Sequence, residues 1–337
     1  MFTRPAELVD EVIAHSLAEH WGFEPTTLAY EPVGFGAHHW KATDASGDAR
    51  FVTVHDLTAK RRDEAEVEDA VFRRLCASFS AASALARAGL TFVLAPTASA
   101  DGRIVDRLDD RFTLAVHPFL AGRPAGEDGE FASDHDRRAV LDLVIQVHRA
   151  TEAAAPEADA DDLAIPHRGE IAASLDALGG PWDDGPYGDR ARALLDEHAT
   201  EVERLVVAYD HLAVQVEQLG DRRVLTHGEP HAGNVLVVDG ELLLIDWDTA
   251  ALAVAERDLW DLDPGDGTVL DTYRQATGLT PSPAALDLYR LWYDLTEIGG
   301  YLGELRRPHT DTADIAESWK NLCHHLRPAE RWPHLVR

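Results

Sequence analysis

The chain has 337 residues and a formal net charge of −29, because 60 acidic residues outnumber 31 basic ones. Such a negative chain is a poor partner for nucleic acid, whose phosphates it would repel. The charge would attract a cationic small molecule, but it would equally suit a salty cytoplasm or a GC-rich genome.

The N-terminal segment, residues 1–23, contains acids and histidines throughout, so it forms neither the apolar core of a signal peptide nor a membrane span. We therefore expect a cytoplasmic protein with no membrane partner. Cys76 and Cys323 lie far apart without a CxxC spacing, which predicts two buried thiols rather than a disulfide framework or a zinc site.

The first part of the chain is predicted to form an antiparallel sheet with flanking helices. An amphipathic helix over residues 6–21 precedes short strands in YEPVGF, HHWKAT and ARFVTVHDL, which are separated by glycines and by a turn at residues 44–48. A helix over residues 61–88 follows, and strands in TFVLAP, GRIVDRL and RFTLAVHPF complete the sheet. The stretch GRPAGEDGEFASD then marks the passage into a second part.

The second part is predicted to be mostly helical around one hairpin. Helices are expected over residues 136–151, 171–178, 188–219, 283–305 and 313–326. The apolar runs VLVV and ELLLI are separated by Asp239 and Gly240, the preferred residues of a type I′ turn. These runs predict a β-hairpin whose open end brings Asn234 and Asp246 together.

Four polar residues, His227, Glu229, Asn234 and Asp246, surround this hairpin. They follow the H-R-D-x-x-x-x-N…D order of protein kinases, with Glu229 in place of the catalytic aspartate. Amide and carboxylate oxygens are the ligands that Mg²⁺ prefers, and a carboxylate can take the proton of an attacking hydroxyl. The motif therefore predicts phosphoryl transfer, with Asn234 and Asp246 as metal ligands, Glu229 as base and His227 orienting the loop.

Together with the segments HPFLAGR, IDWD and ERDL, these residues resemble the aminoglycoside phosphotransferase and choline kinase family, nearest its spectinomycin phosphotransferase branch. The resemblance covers most of the chain and implies an α+β, bilobal protein-kinase-like fold. The antiparallel-sheet N-lobe would span residues 1–117 and the mostly helical C-lobe residues 118–337. The resemblance also implies a structural role for Asp258, nucleotide contacts from His117 and Phe119 at the hinge, and the cofactors ATP (or GTP) and Mg²⁺.

The resemblance is weakest where the nucleotide phosphates would bind. The third-strand lysine of kinases falls near Thr53, and the helix segment SAASALARAGL has no glutamate to pair with it. Gly34 and Gly36 match the first two glycines of a G-x-G-x-x-G loop. His39 and Lys41 are two apart on a strand, so they share a face that could look onto the triphosphate. Alternatively, His39 packs structurally and Lys41 is solvated.

The acceptor is expected to contact the aromatic and acidic segment LDLYRLWYDLTEIGGYL, since such residues suit a cationic sugar. Glu297 is the acceptor-binding candidate, whereas Tyr289 and Trp292 are expected to pack in the core. His231 would border the acceptor. Asp248 could be a further metal or loop ligand, or an exposed or capping residue.

Several functions remain open at this point. An aminoglycoside-like or amino-sugar acceptor leads, with choline, homoserine, methylthioribose or another sugar as alternatives. A pseudokinase or nucleotide-binding module is a second hypothesis, because the extra methylene of Glu229 moves its carboxylate by about 1.5 Å, and a misplacement of about 1 Å can cost on the order of a hundredfold in rate. A zinc site at His227 and His231 is disfavoured, since Gly228 and Pro230 break the helix that such a pair requires.

Overall fold

The N-terminal part of the protein is an antiparallel sheet with two helices. The computed structural model describes residues 1–127 and 129–335. In chain order the first elements are α1 (Asp10–Trp21), β1 (Pro25–Glu31), β2 (His38–Asp44), β3 (Ala49–Asp56), α2 (Glu68–Arg87), β4 (Val105–Arg107) and β5 (Phe112–Pro118). The strands lie side by side in the order β1-β2-β3-β5-β4.

The second part of the chain is mostly helical. Its elements are β6 (Arg123–Pro124), β7 (Gly126–Glu127), β8 (Glu130–Phe131), α3 (Asp134–Arg149), α4 (Thr151–Ala154), α5 (Arg168–Asp176), α6 (Gly188–Glu217), β9 (Arg223–Thr226), β10 (Val235–Val238), β11 (Glu241–Leu244), β12 (Ala251–Val254), α7 (Glu256–Leu262), α8 (Thr268–Thr277), α9 (Pro283–Arg306), α10 (Ala313–His325) and α11 (Pro328–Arg331). This α+β, bilobal arrangement confirms the predicted fold class, while the boundary between residues 117 and 118 stays a prediction. Asp128, in the predicted passage, and residues 336–337, at the predicted end of the C-lobe, lie outside the described residues.

The two faces of the five-stranded sheet have different environments, because successive side chains of a strand point to opposite sides. On one face, Trp40 and Val52 pack with Ile13 of α1 in a small apolar core. On the other face, the ring of His55 lies 5.7 Å from that of Phe79 in α2. His39, Thr53 and His55 therefore lie on the side of α2, whereas His38 lies on the side of Trp40.

Three predictions for the N-terminal part differ from the structure. The segment TFVLAP is not a strand of the sheet but lies along β11, where Leu94 N donates to Leu244 O at 3.0 Å and Leu244 N donates to Phe92 O at 2.8 Å. A short apolar run does not specify its partner. The helix predicted from residue 61 begins only at Glu68, because Asp63 accepts backbone hydrogen bonds in the preceding loop. The first helix similarly begins at Asp10 rather than near residue 6.

Two larger cores hold the helical part together. One joins α2, α3 and α7 to the β10–β11 hairpin. Trp247, which follows this hairpin, is fully buried in that core and donates its indole N–H to Leu244 O at 3.0 Å. The other surrounds α9, where Tyr289 is buried as predicted and Trp292 is half-buried. In the described part of the chain, no helix is both long and apolar enough to cross a membrane.

Asp294 ties the C-terminal helices to α9. Its buried carboxylate accepts hydrogen bonds from His325 Nδ1 at 2.9 Å, Arg331 Nε at 2.8 Å and Trp332 Nε1 at 2.7 Å. Burial raises the pKa of Asp294, but the hydrogen bonds from His325 and Arg331 outweigh burial and lower the pKa below its ordinary value. The ionised carboxylate is therefore part of the native packing.

We expect Asp294→Asn to lower the free energy of unfolding by about 3 kcal/mol at neutral pH, because buried donors lose a charged acceptor. A depressed carboxylate pKa stabilises the fold above the unfolded pKa of about 4 and loses this effect as the pH falls through the folded pKa. Urea unfolding of both proteins should therefore converge below about pH 4. The exposed Asp271→Asn is the control, and a difference that persists unchanged at pH 3 would contradict this role.

Candidate active site

The hairpin forms as predicted and positions two candidate metal ligands. β10 pairs with β11 from Val235↔Leu244 to Val238↔Glu241. Asp239 and Gly240 have φ values of 50° and 89°, as a type I′ turn requires. At the open end, Ile245 N donates to Asn234 O at 3.0 Å. Asn234 therefore lies at the same end of the hairpin as Asp246.

His227 ties the loop that carries Glu229 to this hairpin. Glu229 N donates to His227 Nδ1 at 3.3 Å, so the ring proton is on Nε2, which lies 2.8 Å from Ile245 O. Burial lowers the pKa of His227 to about 4, which keeps the ring neutral. His227 thus connects the loop to the hairpin through its neutral ring.

Asp258 of α7 also holds the loop that carries Glu229. Its buried carboxylate accepts hydrogen bonds from His227 N at 2.9 Å and Gly228 N at 2.6 Å, and His148 Nε2 of α3 lies 3.0 Å away. Although burial raises the pKa of Asp258, the hydrogen bond from His148 and those of the loop lower it below its ordinary value. The Asp258 carboxylate therefore connects the loop to two helices.

Asn234 and Asp246 offer oxygen ligands to a cation. Asn234 Nδ2 donates to Glu229 O at 3.0 Å and faces His231 Nε2 at 3.3 Å, which leaves the amide oxygen for another partner. Asp246 has a φ of 61°, which is uncommon and strained for a residue other than glycine. Its side chain is exposed at the open end of the hairpin, where partial desolvation and the charge of Asp248 raise its pKa well above the ordinary value. These carboxylates need a positive partner.

The donor set fits Mg²⁺ better than zinc. Among the described residues, no group of three or more His, Cys, Asp or Glu side chains could hold a metal alone. Mg²⁺ commonly takes one or two protein oxygens and completes its shell with phosphate and water. The two histidines of the zinc hypothesis are already engaged in the loop, since His231 Nδ1 accepts from Gly233 N at 3.1 Å.

Glu229 is half-buried beside these ligands. Burial and the nearby charges of Asp248 and Glu297 raise its pKa to about 7. Its main chain is held at both ends, by His227 at the N–H and by Asn234 at the carbonyl. The backbone therefore fixes where the longer glutamate side chain starts.

The predicted phosphate loop has the backbone of a glycine loop. Gly34 and Gly36 have φ values of 68° and 93°, which favour glycine. His39 Nδ1 lies 3.3 Å from Thr53 Oγ1, and the ring stacks on Phe51 with centroids 5.0 Å apart. Burial lowers the pKa of His39 to about 3, so the ring is neutral.

Lys41 lies beside the predicted hinge. Its ammonium sits 4.1 Å above the ring of Phe119, and the strand register connects Lys41 through Phe51 to His117. His117 is buried, and burial lowers its pKa to about 4. The three residues therefore gather where β5 leads into the predicted hinge.

Lys60 is a cleft residue that sequence reasoning missed. Its ammonium lies 2.6 Å from Asp248 Oδ2, and His55 Nδ1 lies 3.9 Å from the same oxygen. Burial alone would raise the pKa of Asp248, but Lys60 and His55 lower it to about 2. The Asp248 side chain is only 8% exposed, so the prediction of an exposed role is wrong.

Asp261 of α7 is a second residue that sequence reasoning missed. Its Oδ2 is buried and has no hydrogen-bond partner within the described ranges. Burial and the charges of Glu229 and Asp258 raise its pKa to about 6. Glu297 also has a raised pKa through burial, and its charge acts on Glu229. The segment ERDLWDL contains a pattern that could have identified Asp261, because this residue follows Asp258 by three positions and so shares its helix face.

Comparisons with known proteins identify the family of this chain. The chain matches the phosphotransferase enzyme family over residues 31–298. Protein StrN of Streptomyces griseus is 30% identical over 257 residues, which are 72% of this chain and 74% of that protein. Spectinomycin phosphotransferase APH(9)-Ia in complex with ADP and spectinomycin has a TM-score of 0.71 at 17% identity, covering 96% of this chain and 99% of that one. Choline kinase LicA of Streptococcus pneumoniae has a TM-score of 0.55 at 12% identity, covering 94% and 98%.

The fold and the hairpin site define a small-molecule kinase with a protein-kinase-like fold. The chain belongs to the phosphotransferase enzyme family, which confirms the predicted resemblance. It is a phosphotransferase, and membership of a family of enzymes argues against the pseudokinase hypothesis.

A matched pair of glycine variants tests the packing of the loop. Gly228 has a φ of 104°, and an added Cβ would lie 2.6 Å from Arg257 Nη1 and 2.7 Å from Thr249 Oγ1. Gly240 has a φ of 89° but faces open space. We expect Gly240→Ala to cost about 1–3 kcal/mol of unfolding free energy through backbone strain alone. Gly228→Ala should cost more and also lower phosphotransfer; equal losses of stability with equal activity would contradict the contact.

Proposed function

We propose that the protein transfers the γ-phosphate of ATP, or of GTP, to a hydroxyl of a small cationic molecule of the aminoglycoside or amino-sugar type. The observation that carries this proposal is the open end of the hairpin, where Asn234 and Asp246 lie beside the loop that holds Glu229. The structure of APH(9)-Ia with ADP and spectinomycin supports an adenine nucleotide.

Each residue has a distinct task in this reaction. Asn234 and Asp246 would hold Mg²⁺, which neutralises phosphate charge when bound. Glu229 takes the proton of the acceptor hydroxyl. The oxygen of that hydroxyl bonds to the γ-phosphorus while the bond between the γ-phosphorus and the departing ADP breaks. His227 and Asp258 keep the loop in place.

The acceptor side supports a positively charged substrate. Asp261 and Glu297 add two carboxylates to the one at Glu229, and an oxygen of Asp261 lacks a partner in the described chain. Enclosure of like charges raises their pKa values, and an ammonium group would favour their ionised forms. Tyr293 lies near these carboxylates, whose charges act on its phenol, and its ring is 5.3 Å from that of Trp260. Choline, homoserine, methylthioribose and neutral sugars are the competing acceptors.

Glu229→Gln should lower kcat by about 10²–10⁴-fold, because the base is lost, while ATP affinity changes little. The assay measures acceptor-dependent ADP release from ATP and Mg²⁺ with amine-bearing antibiotics, amino sugars, choline and neutral sugars. Asn234→Ala should instead raise the Mg²⁺ concentration needed for half-maximal rate. A glutamine variant with the wild-type kcat would overturn the role of Glu229.

Asp261→Asn and Glu297→Gln should each raise KM for a cationic acceptor by about tenfold, the effect of losing roughly 1.4 kcal/mol of binding energy. KM for ATP should stay unchanged, since neither side chain faces the nucleotide end. The exposed Asp271→Asn is the control. An acceptor KM that does not move would exclude both residues from the acceptor site.

A further inference from the structure

The loop after β3 places a lysine at the metal end of the cleft. Lys60 Nζ lies 2.6 Å from Asp248 Oδ2, and the carboxylates of Asp246 and Glu229 also act on its charge. The side chain of Lys60 is 23% exposed. Its ammonium therefore lies among the acidic residues at the open end of the hairpin.

The main chain around Lys60 is fixed from two sides. Asp56 at the end of β3 accepts hydrogen bonds from Thr58 N at 2.9 Å and Ala59 N at 3.2 Å. Arg74 of α2 donates to Lys60 O at 2.8 Å. These hydrogen bonds fix the backbone position from which the Lys60 side chain extends.

The histidines of the central strands and the other two lysines are unsuited to contact the phosphates of a nucleotide. His39, His55 and His117 all have pKa values lowered by burial, to about 3, 3 and 4, so they are neutral. Lys41 lies over Phe119 at the hinge end. The third lysine, Lys320, is on α10, where it pairs with Glu317.

We propose that Lys60 replaces the missing third-strand lysine and contacts the β- and γ-phosphates of the bound nucleotide, with Asp248 as its carboxylate partner. The Lys60 ammonium has three N–H donors, so it can hydrogen-bond to Asp248 and to a phosphate oxygen at the same time. The ion pair then joins the N-terminal loop to the hairpin, whereas the usual kinase pair joins a strand to a helix within one lobe. This inference rests on the proposed nucleotide-dependent function.

Lys60→Met removes the charge but keeps a chain of similar length, and Lys60→Arg restores a charge. Dissociation constants of ATP, ADP and adenosine, measured by calorimetry with Mg²⁺, separate phosphate contacts from base contacts. We expect Lys60→Met to raise the dissociation constant of ATP at least about tenfold, as loss of a hydrogen bond to a charged group does. By the same reasoning, the dissociation constant of adenosine should change less than about twofold. Lys60→Arg should recover part of the ATP affinity. Lys320→Met, at a side chain 72% exposed, is the matched control.

The outcomes separate the two proposals. Unchanged ATP affinity and kcat/KM in Lys60→Met, in a wild-type enzyme that binds and uses ATP, would overturn the role of Lys60 alone. Equal weakening of ATP and adenosine would show that the residue only supports the fold, and this also overturns it. Wild-type protein that neither binds nor hydrolyses a nucleotide would reject the proposed function and this inference with it.

Discussion

The concentration of carboxylates at the open end of the hairpin is the constraint on which the rest of the site depends. Glu229, Asp246 and Asp248 lie close enough to shift one another's pKa values, and Glu297 adds to the charge at Glu229. Like charges enclosed by protein resist joint ionisation. Lys60, a divalent ion and a cationic acceptor are three ways of compensating the same negative charge at different points of the cleft.

A rigid frame makes this charge useful for catalysis. The loop of Glu229 is held by backbone hydrogen bonds to Asp258 and by the neutral ring of His227, and neither group needs to ionise during turnover. Because in-line transfer depends on sub-ångström positioning, such a frame contributes as much as the reacting groups. It also explains how a glutamate can stand where kinases have an aspartate, since its main chain is fixed at both the N–H and the carbonyl.

The parts that the sequence predicts well are local. The hairpin turn at Asp239 and Gly240, the order of the motif and the five predicted helices of the second part follow from short-range patterns, whereas α8 was not predicted. The pair of Lys60 with Asp248 joins positions 188 residues apart, so no local pattern contains it. Strand alternation places Lys41 and His39 on one face, but only the register with β5 reveals that Lys41 lies at the hinge end. TFVLAP illustrates the same limit, because its strand partner comes from the second part of the chain.

The most direct test is anomalous diffraction from crystals grown with Mn²⁺ and a non-hydrolysable ATP analogue. The account predicts a metal peak bonded to the amide oxygen of Asn234 and the carboxylate of Asp246 at roughly 2.0–2.2 Å, with phosphate oxygens completing the shell. A nucleotide bound in the cleft with no metal between these two side chains would contradict it.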